Sequence, residues 1–109
     1  KTVVQNNKAA LAAEARYEIA NCWFQLSKWA DAEKAAFETI NKSGSYDYWV
    51  TKSYILLGDV YFKQKDYFNA KATFQSIVDN TLDAELKAEA QTKLNQVNDE
   101  ESKSSKVNN

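Results

Sequence analysis

One pattern of small and aromatic residues occurs twice in this sequence, 38 residues apart. The first copy consists of Ala20, Trp23, Trp29 and Ala32, and the second of Gly58, Tyr61, Tyr67 and Ala70. A recurrence of this length is typical of stacked helical hairpins, because every copy has to present the same small and large side chains to its neighbours. The spacing therefore predicts a repeat architecture.

Helix-breaking residues are nearly absent, because the chain of 109 residues has two glycines and no proline. Apolar periodicity predicts five helices, at about 8–26, 29–42, 48–64, 67–78 and 82–97. Asn7, Asp47 and Asp66 are suited to cap three of them. Gly44 is suited to end the second helix in a left-handed conformation, within a turn over residues 41–46. The predicted fold class is all-α, an α-α superhelix (solenoid) of about two hairpins and a C-terminal capping helix.

The last predicted helix and the tail after it have different compositions. Residues 82–97 carry one thin apolar stripe among charged and amide side chains, as expected for a helix that closes a repeat stack with one buried face. The stripe consists of Leu86, Ala90, Leu94 and Val97. Residues 99–109 are polar, and we predict that they are disordered. The predicted domain therefore covers residues 1–98, with the capping helix over about 82–98.

The second copy resembles the tetratricopeptide repeat, a helix-turn-helix unit of about 34 residues with a Leu-Gly pair, aromatic residues and alanine at fixed positions. Counted from Thr51, the matching residues are Tyr54, Leu57, Gly58, Tyr61, Tyr67, Ala70 and Phe74. Leu82 stands where the family often has proline. The resemblance implies a repeat over about 51–84 in which Gly58 allows a second helix to approach closely.

The first copy resembles the family less closely. A repeat over residues 13–46 matches at Ile19, Ala20, Trp23, Trp29 and Ala32, whereas Arg16 replaces a large apolar residue. Its second helix aligns better at an offset of 37 residues, which pairs Phe37 with Phe74. The chain resembles the C-terminal part of a long bacterial cell-envelope tetratricopeptide protein, and this resemblance implies a periplasmic or outer-membrane-associated location.

In the resembled family, one stripe of each first helix lines a concave groove in which peptides or partner helices dock. The resemblance implies ten groove residues, namely Glu14, Tyr17, Asn21, Phe24, Gln25, Lys52, Ile55, Asp59, Phe62 and Lys63. Phe24 and Phe62 are either anchors for a partner or residues of inter-repeat packing. The polar members either bind a partner or lie on a solvated face. A clamp for a terminal carboxylate is disfavoured, because Tyr17 stands where that clamp has lysine.

Residue types for catalysis and metal binding are scarce. The chain has no histidine and a single cysteine, Cys22, which we interpret as a packed residue and not as a reactive thiol. We therefore predict no enzymatic activity, no cofactor and no metal site. The net charge of −1, with both signs interspersed, does not indicate nucleic-acid binding. The apolar runs in the sequence are far shorter than the roughly 20 residues needed to span a bilayer, so we predict no direct membrane insertion.

The sequence therefore predicts a non-catalytic scaffold that binds a peptide or protein partner on the concave face of a solenoid. The alternative is a structural C-terminal cap, or a self-association segment, of a longer repeat protein whose upstream repeats bind the partner. The chain begins without methionine or a signal-peptide pattern, and we interpret it as a piece of a longer protein. Val3, Val4 and Leu11 would then meet a preceding repeat.

Overall fold

The computed structural model consists of five helices. It describes the backbone of residues 2–44 and 47–108, and the side chains of residues 8–44 and 47–104. The helices are α1 (Thr2–Gln25), α2 (Trp29–Ser43), α3 (Asp47–Lys63), α4 (Tyr67–Asn80) and α5 (Ala84–Asn108). Neither described stretch contains a strand, and the predicted all-α fold is confirmed. Part of the predicted turn 41–46 and the side chains of Val3 and Val4 lie outside the described residues.

The two hairpins turn in the same way. In the first hairpin the Lys28 amide donates to the Trp23 carbonyl at 2.9 Å. The Ser27 amide donates to the Phe24 carbonyl, also at 2.9 Å. The same two bonds recur 38 residues later, from Asp66 to Tyr61 and from Lys65 to Phe62. Such a pair of bonds is a Schellman motif, which requires a positive φ at the residue after the helix, here 60° at Ser27 and 63° at Lys65.

Two of the predicted helix-end residues act as expected. The Asp66 side chain caps α4, since its Oδ1 accepts a hydrogen bond from the Asn69 amide at 3.2 Å. Gly44 ends α2 as predicted and has a positive φ of 52°, but its ψ of −112° lies outside the left-handed helical region, in a conformation that glycine adopts without steric cost. The ends of α2 and α4 therefore follow from local sequence.

Three helix starts differ from the predicted ones. α1 begins at Thr2, so the predicted cap Asn7 lies within the helix. α3 includes Asp47 in its first turn. α5 begins at Ala84 and not at Leu82, because Asp83 caps it through a hydrogen bond from the Leu86 amide to Oδ1 at 3.0 Å.

The C-terminal end of α5 also differs from the prediction. The helix continues to Asn108, which corrects the expectation that residues 99–109 are disordered; Asn109 lies outside the described residues. The Lys71 ammonium on α4 lies 2.6 Å from a carboxylate oxygen of Glu101. This ion pair links α5 to α4, and its two residues are too far apart in the sequence for composition to reveal it.

The helices form two layers. Each helix packs on the next, and α3 also contacts both α1 and α5. Within the described residues, no Cα atom of α2 comes within 8 Å of a Cα atom of α4. When neighbouring helices touch in one layer and stand apart in the other, the array of helices is curved. The layer whose helices touch lies on the inside of the curve. α1, α3 and α5 therefore lie on the concave side.

The lower core lies between α3, α4 and α5. Its buried residues are Ile55, Ala70, Phe74, Ile77, Leu86, Ala90, Leu94 and Val97. A Cβ atom added at Gly58 would lie 2.5 Å from Cε1 of Phe74, well inside the about 3.5 Å at which carbon atoms make contact. The absence of a side chain at Gly58 therefore lets the Phe74 ring reach α3.

The upper core lies between α1, α2 and α3 and is built largely from small residues. Its fully buried apolar residues on α1 and α2 are Ala13, Ala20, Ala32 and Ala36, and α3 adds the buried residues Leu56 and Leu57. Several large apolar residues of α1 and α2 remain exposed, namely Leu11, Ile19, Trp23, Leu26 and Phe37. Cys22 is also exposed, so the interpretation of this cysteine as a packed residue is wrong.

Candidate interaction groove

Three charged residues of α3 mark the concave side of the array. Lys52, Asp59 and Lys63 fall within an arc of about 40° on the helix. Lys52 contacts a side chain of α1, and Asp59 contacts one of α5. We call the side of α1, α3 and α5 that is turned away from α2 and α4 the groove face. Side chains of three helices meet on it.

Aromatic side chains form the junction between α1 and α3. The ring centroids of Tyr17 and Trp49 are 5.6 Å apart, and those of Trp49 and Tyr48 are 4.8 Å apart in an edge-on arrangement. The Lys52 ammonium lies 5.5 Å from the centroid of the Tyr17 ring, within the range of a cation–π contact. Sequence reasoning missed Trp49, although it lies one helical turn before the predicted Lys52.

An ion pair forms the junction between α3 and α5. The Lys93 ammonium donates to both carboxylate oxygens of Asp59, at 3.0 and 3.1 Å. Burial raises the pKa of Asp59, Lys93 opposes this effect, and the negative charge of Glu89 adds to it. Lys93 and Glu89 were missed because α5 was interpreted only as a capping helix. Their spacing of four residues on one side of α5 was the available signal.

The Tyr17 hydroxyl lies in an environment that opposes its ionisation. Burial raises the pKa of Tyr17 to about 12, and the charges of Glu18, Glu89 and Asp59 contribute in that order. The phenol is therefore neutral over the physiological pH range. Since it keeps its proton, it can donate a hydrogen bond to an acceptor such as a peptide carbonyl.

Phe24 and Phe62 occupy equivalent positions and make equivalent contacts. Phe24 packs against the upper core and lies 5.2 Å from the Trp29 ring centroid. Phe62 packs against the lower core and lies 6.0 Å from the Tyr67 ring centroid. Both are half-buried. Each contacts the first residue of the second helix in its own hairpin, as a packing residue does.

The remaining predicted groove residues differ in exposure. Glu14 and Asn21 are half-buried, whereas Gln25 and Lys63 are exposed. Ile55 is only 3% exposed and belongs to the lower core. The prediction that Ile55 lines the groove is corrected, because α5 covers the side of α3 on which it lies.

A separate cleft lies at the end of the molecule where α3 begins and α4 ends. Its volume is approximately 870 Å³, and its walls include Tyr54, Leu57, Ile77 and Leu86. None of the ten predicted groove residues lines it. Tyr54, one of the residues that match the tetratricopeptide pattern, is 39% exposed at this cleft.

The described part of the chain lacks the features of a metal site and of a membrane-spanning helix. No group of three or more cysteine or carboxylate side chains there could hold a metal ion. None of the helices, over the residues described, is both long enough and apolar enough to cross a membrane.

Comparison with known families identifies one segment of the chain. Residues 52–80, which cover α3 from Lys52 onwards and all of α4, match the family model described as tetratricopeptide repeat. This segment is a tetratricopeptide repeat. Neither a curated protein nor a solved structure matches the chain. Tetratricopeptide repeats in general support protein–protein interaction and are generally non-catalytic.

Proposed function

We propose that this protein is a non-catalytic scaffold that binds a peptide or protein partner on its groove face. The observation that carries the proposal is the meeting of α1, α3 and α5 side chains there, through the Tyr17–Trp49–Lys52 contacts and the Asp59–Lys93 pair. These aromatic and charged side chains are half-buried and lie on the concave side, where a partner gains contact area.

Recognition would combine an aromatic surface with hydrogen bonds. Tyr17 and Trp49 offer rigid apolar area, which contributes much binding energy for little lost side-chain entropy. The neutral Tyr17 hydroxyl and the Asn21 amide, four residues apart on α1, can bond to the main chain of an extended peptide. Charges of both signs, on Lys52, Lys63 and Glu89, would then set the orientation of the partner.

The test uses a displayed library of random peptides, selected on the whole chain and measured for affinity. We expect Lys52→Ala and Asn21→Ala each to weaken the selected peptides by about fivefold to tenfold, with the melting temperature nearly unchanged. Tyr17→Phe removes only the hydroxyl group and tests its hydrogen bond. Phe68→Ala is the control, because Phe68 is 77% exposed on α4, outside the groove face.

The location of the bound peptide decides the outcome. Chemical-shift changes at α1, α3 and α5 that need a fivefold to tenfold higher peptide concentration in Lys52→Ala support the proposal. Peptides that bind the cleft beside Tyr54, or that lose affinity with Phe68→Ala and not with Lys52→Ala, contradict it.

A second candidate function is that of a structural cap, and the composition of α5 favours it. Leu86, Ala90, Leu94 and Val97 are buried, whereas the outer positions of α5 carry charged and amide residues. Deleting residues 84–108 would expose Phe74 and Ile77 and is expected to cause aggregation. A deletion variant that stays soluble and equally stable contradicts the capping role.

A further inference from the structure

The cleft at the start of α3 and the end of α4 has an apolar base and an open mouth. Its volume is approximately 870 Å³, which lies within the range of small-molecule binding pockets. Among its lining residues, Leu57, Ile77 and Leu86 are nearly fully buried. Leu82 also lines it and is 102% exposed, so its side chain stands in water beside the cleft. An apolar group placed there would remove Leu82 from water and contact the buried base.

The charged residues that line the cleft are acidic. Asp47 and Asp83 contribute to its walls, whereas no lysine or arginine of the described residues does so. Asp47 lies in the first turn of α3, and Asp83 directly precedes α5. The positive ends of these two helices, about half a unit charge each, offset the two carboxylates only in part. The C-terminal end of α4, at Asn80, adds a partial negative charge. The cleft therefore favours a cation.

Two tyrosine rings make the cleft suited to an organic cation. Tyr48 and Tyr54 line it, and both remain partly exposed. The face of a tyrosine ring attracts a cation that lies within about 6 Å of its centroid. A metal ion would need several oxygen ligands, and no group of three or more carboxylate or cysteine side chains in the described part of the chain could supply them. Aromatic rings and an apolar base instead favour an ammonium ion that carries an apolar group.

The first hairpin has a cation of its own in the equivalent place. Arg16 stands 38 residues before Tyr54, and its guanidinium lies 3.5 Å from the Lys42 carbonyl oxygen in the last turn of α2. The partial negative charge at the end of a helix stabilises a cation there. In the second hairpin tyrosine replaces this arginine, while the end of α4 lines the cleft. The place equivalent to that of the Arg16 guanidinium is therefore open to a cation from another molecule.

We propose that the cleft binds a small organic ammonium ion that carries an apolar group. The ammonium group would pair with Asp83, through Oδ2, because Oδ1 already accepts a hydrogen bond from the Leu86 amide. The apolar group would lie against Leu57, Ile77 and Leu82. The cleft is bounded by α3, α4 and α5, so it encloses a compact molecule better than an extended peptide. It shares none of the ten predicted groove residues, and the proposal is therefore independent of the groove face.

The test titrates the whole chain with two compounds that share an apolar group and differ in charge. Phenylbutylamine is a cation near neutral pH, and phenylbutyrate is an anion. We expect the amine to bind with a Kd of about 1 mM or below, and the carboxylate to bind at least about fivefold more weakly. Backbone amide shifts, measured by NMR, should change at the start of α3, the end of α4 and the start of α5.

Two variants separate the charge from the apolar contact. Asp83→Asn removes the charge and keeps a good helix-capping residue, and it is expected to weaken amine binding by about threefold to tenfold. The matched control is Asp31→Asn, which removes the same charge from an exposed position on α2 and is expected to leave amine binding unchanged. Leu82→Ala is expected to weaken amine binding by about threefold, with the melting temperature nearly unchanged, because this side chain lies in water in the free protein.

Several results would overturn the proposal. Amine binding that does not saturate below about 10 mM would show that the cleft is not a site for such a cation. Equal affinities for the amine and the carboxylate would contradict the selection by charge. Equal losses in Asp83→Asn and Asp31→Asn would assign the effect to the net charge of the chain. Shift changes confined to the groove face would place the ligand elsewhere. Circular dichroism checks that each variant folds.

Discussion

The lower core and the upper core use the same recurring sequence pattern in different ways. The lower core buries large side chains, with Phe74 only 1% exposed against Gly58. The upper core is held by fully buried alanines on α1 and α2, while Phe37, the counterpart of Phe74, is 40% exposed. A repeat pattern therefore fixes the helices and their turns without fixing which side chains fill the space between them.

This difference determines which part of the molecule gains stability from burial and which part keeps an apolar surface exposed. Burying large apolar side chains stabilises the α3–α4–α5 region by the free energy of removing them from water. Exposing them, as on α1, forgoes that stabilisation and leaves an apolar surface for another molecule. The hairpin that matches the family model is the one with the filled core.

The largest expected effect is at the paired phenylalanines. Phe74→Ala is expected to lower the free energy of unfolding by about 3–5 kcal/mol, because it leaves a cavity against Gly58. Phe37→Ala is expected to cost less than about 1 kcal/mol, because the side chain is partly in water already. Urea denaturation of both variants measures the two values. Equal losses would show that the two cores do not differ as described.

A smaller effect is expected at the paired small residues. Gly58→Ala should destabilise by about 1–3 kcal/mol despite the better helix propensity of alanine, because the new methyl group meets the Phe74 ring. Ala20→Gly should cost about 1–2 kcal/mol, from the lower helix propensity of glycine and from the loss of a buried methyl group.

A double-variant experiment identifies the cause at Gly58. Phe74→Leu removes the atoms nearest the added Cβ, so Gly58→Ala should cost less in that background than in the natural chain. The same cost in both backgrounds would contradict the steric account.

The ion pair at the α3–α5 junction gives a pH-dependent effect. Lys93→Met leaves the half-buried Asp59 carboxylate without its ion-pair partner, and we expect a loss of about 1–3 kcal/mol near neutral pH. Removing Lys93 raises the pKa of Asp59 further in the folded state. A group whose pKa is raised by folding stabilises the folded state at low pH, and this stabilisation is lost as the pH rises through that pKa. The loss should therefore shrink as the pH falls.

Thermal denaturation at several pH values, with NMR titration of the Asp59 carboxylate, measures this effect. Lys87→Met is the control, since Lys87 is exposed on the same helix as Lys93 and forms no ion pair among the described residues. A loss that is independent of pH would mean that Lys93 stabilises through its aliphatic part and not through its charge.

The smallest expected effect is the same in both hairpins. Ser27→Gly and Lys65→Gly each place glycine at a positive φ, which relieves about 1–2 kcal/mol of steric cost and adds unfolded-state entropy of about 0.4–1 kcal/mol. A net gain of about 0.5–1 kcal/mol is expected at each position. A gain in one hairpin only would show that the two turns, despite identical bonding, carry different strain.

Local sequence predicted the features that depend on near neighbours. The α4 cap at Asp66, the end of α2 at Gly44 and the role of Gly58 all follow from the preferences of single residues. The start of α1 did not, because its first turns contain no residue that stops a helix, and Asn7 is tolerated within it.

Features that depend on distant residues could not be predicted. Ile55 and Asp59 lie about 40° apart on α3, and only the position of α5 decides that Ile55 is buried and that Asp59 meets Lys93. The ion pair of Glu101 with Lys71 likewise joins two distant residues, which lie 30 positions apart in the sequence. Most of the fold was predictable from the sequence, whereas the groove required the packing of α5.

The gap between α2 and α4 has a mechanical consequence. The Cα traces of these two helices stay more than 8 Å apart over the described residues, whereas each of them packs on α3. The separation of α2 from α4 is therefore set indirectly, through the way both helices pack on α3. A change in this separation would alter the curvature of the array, and with it the width available to a bound chain.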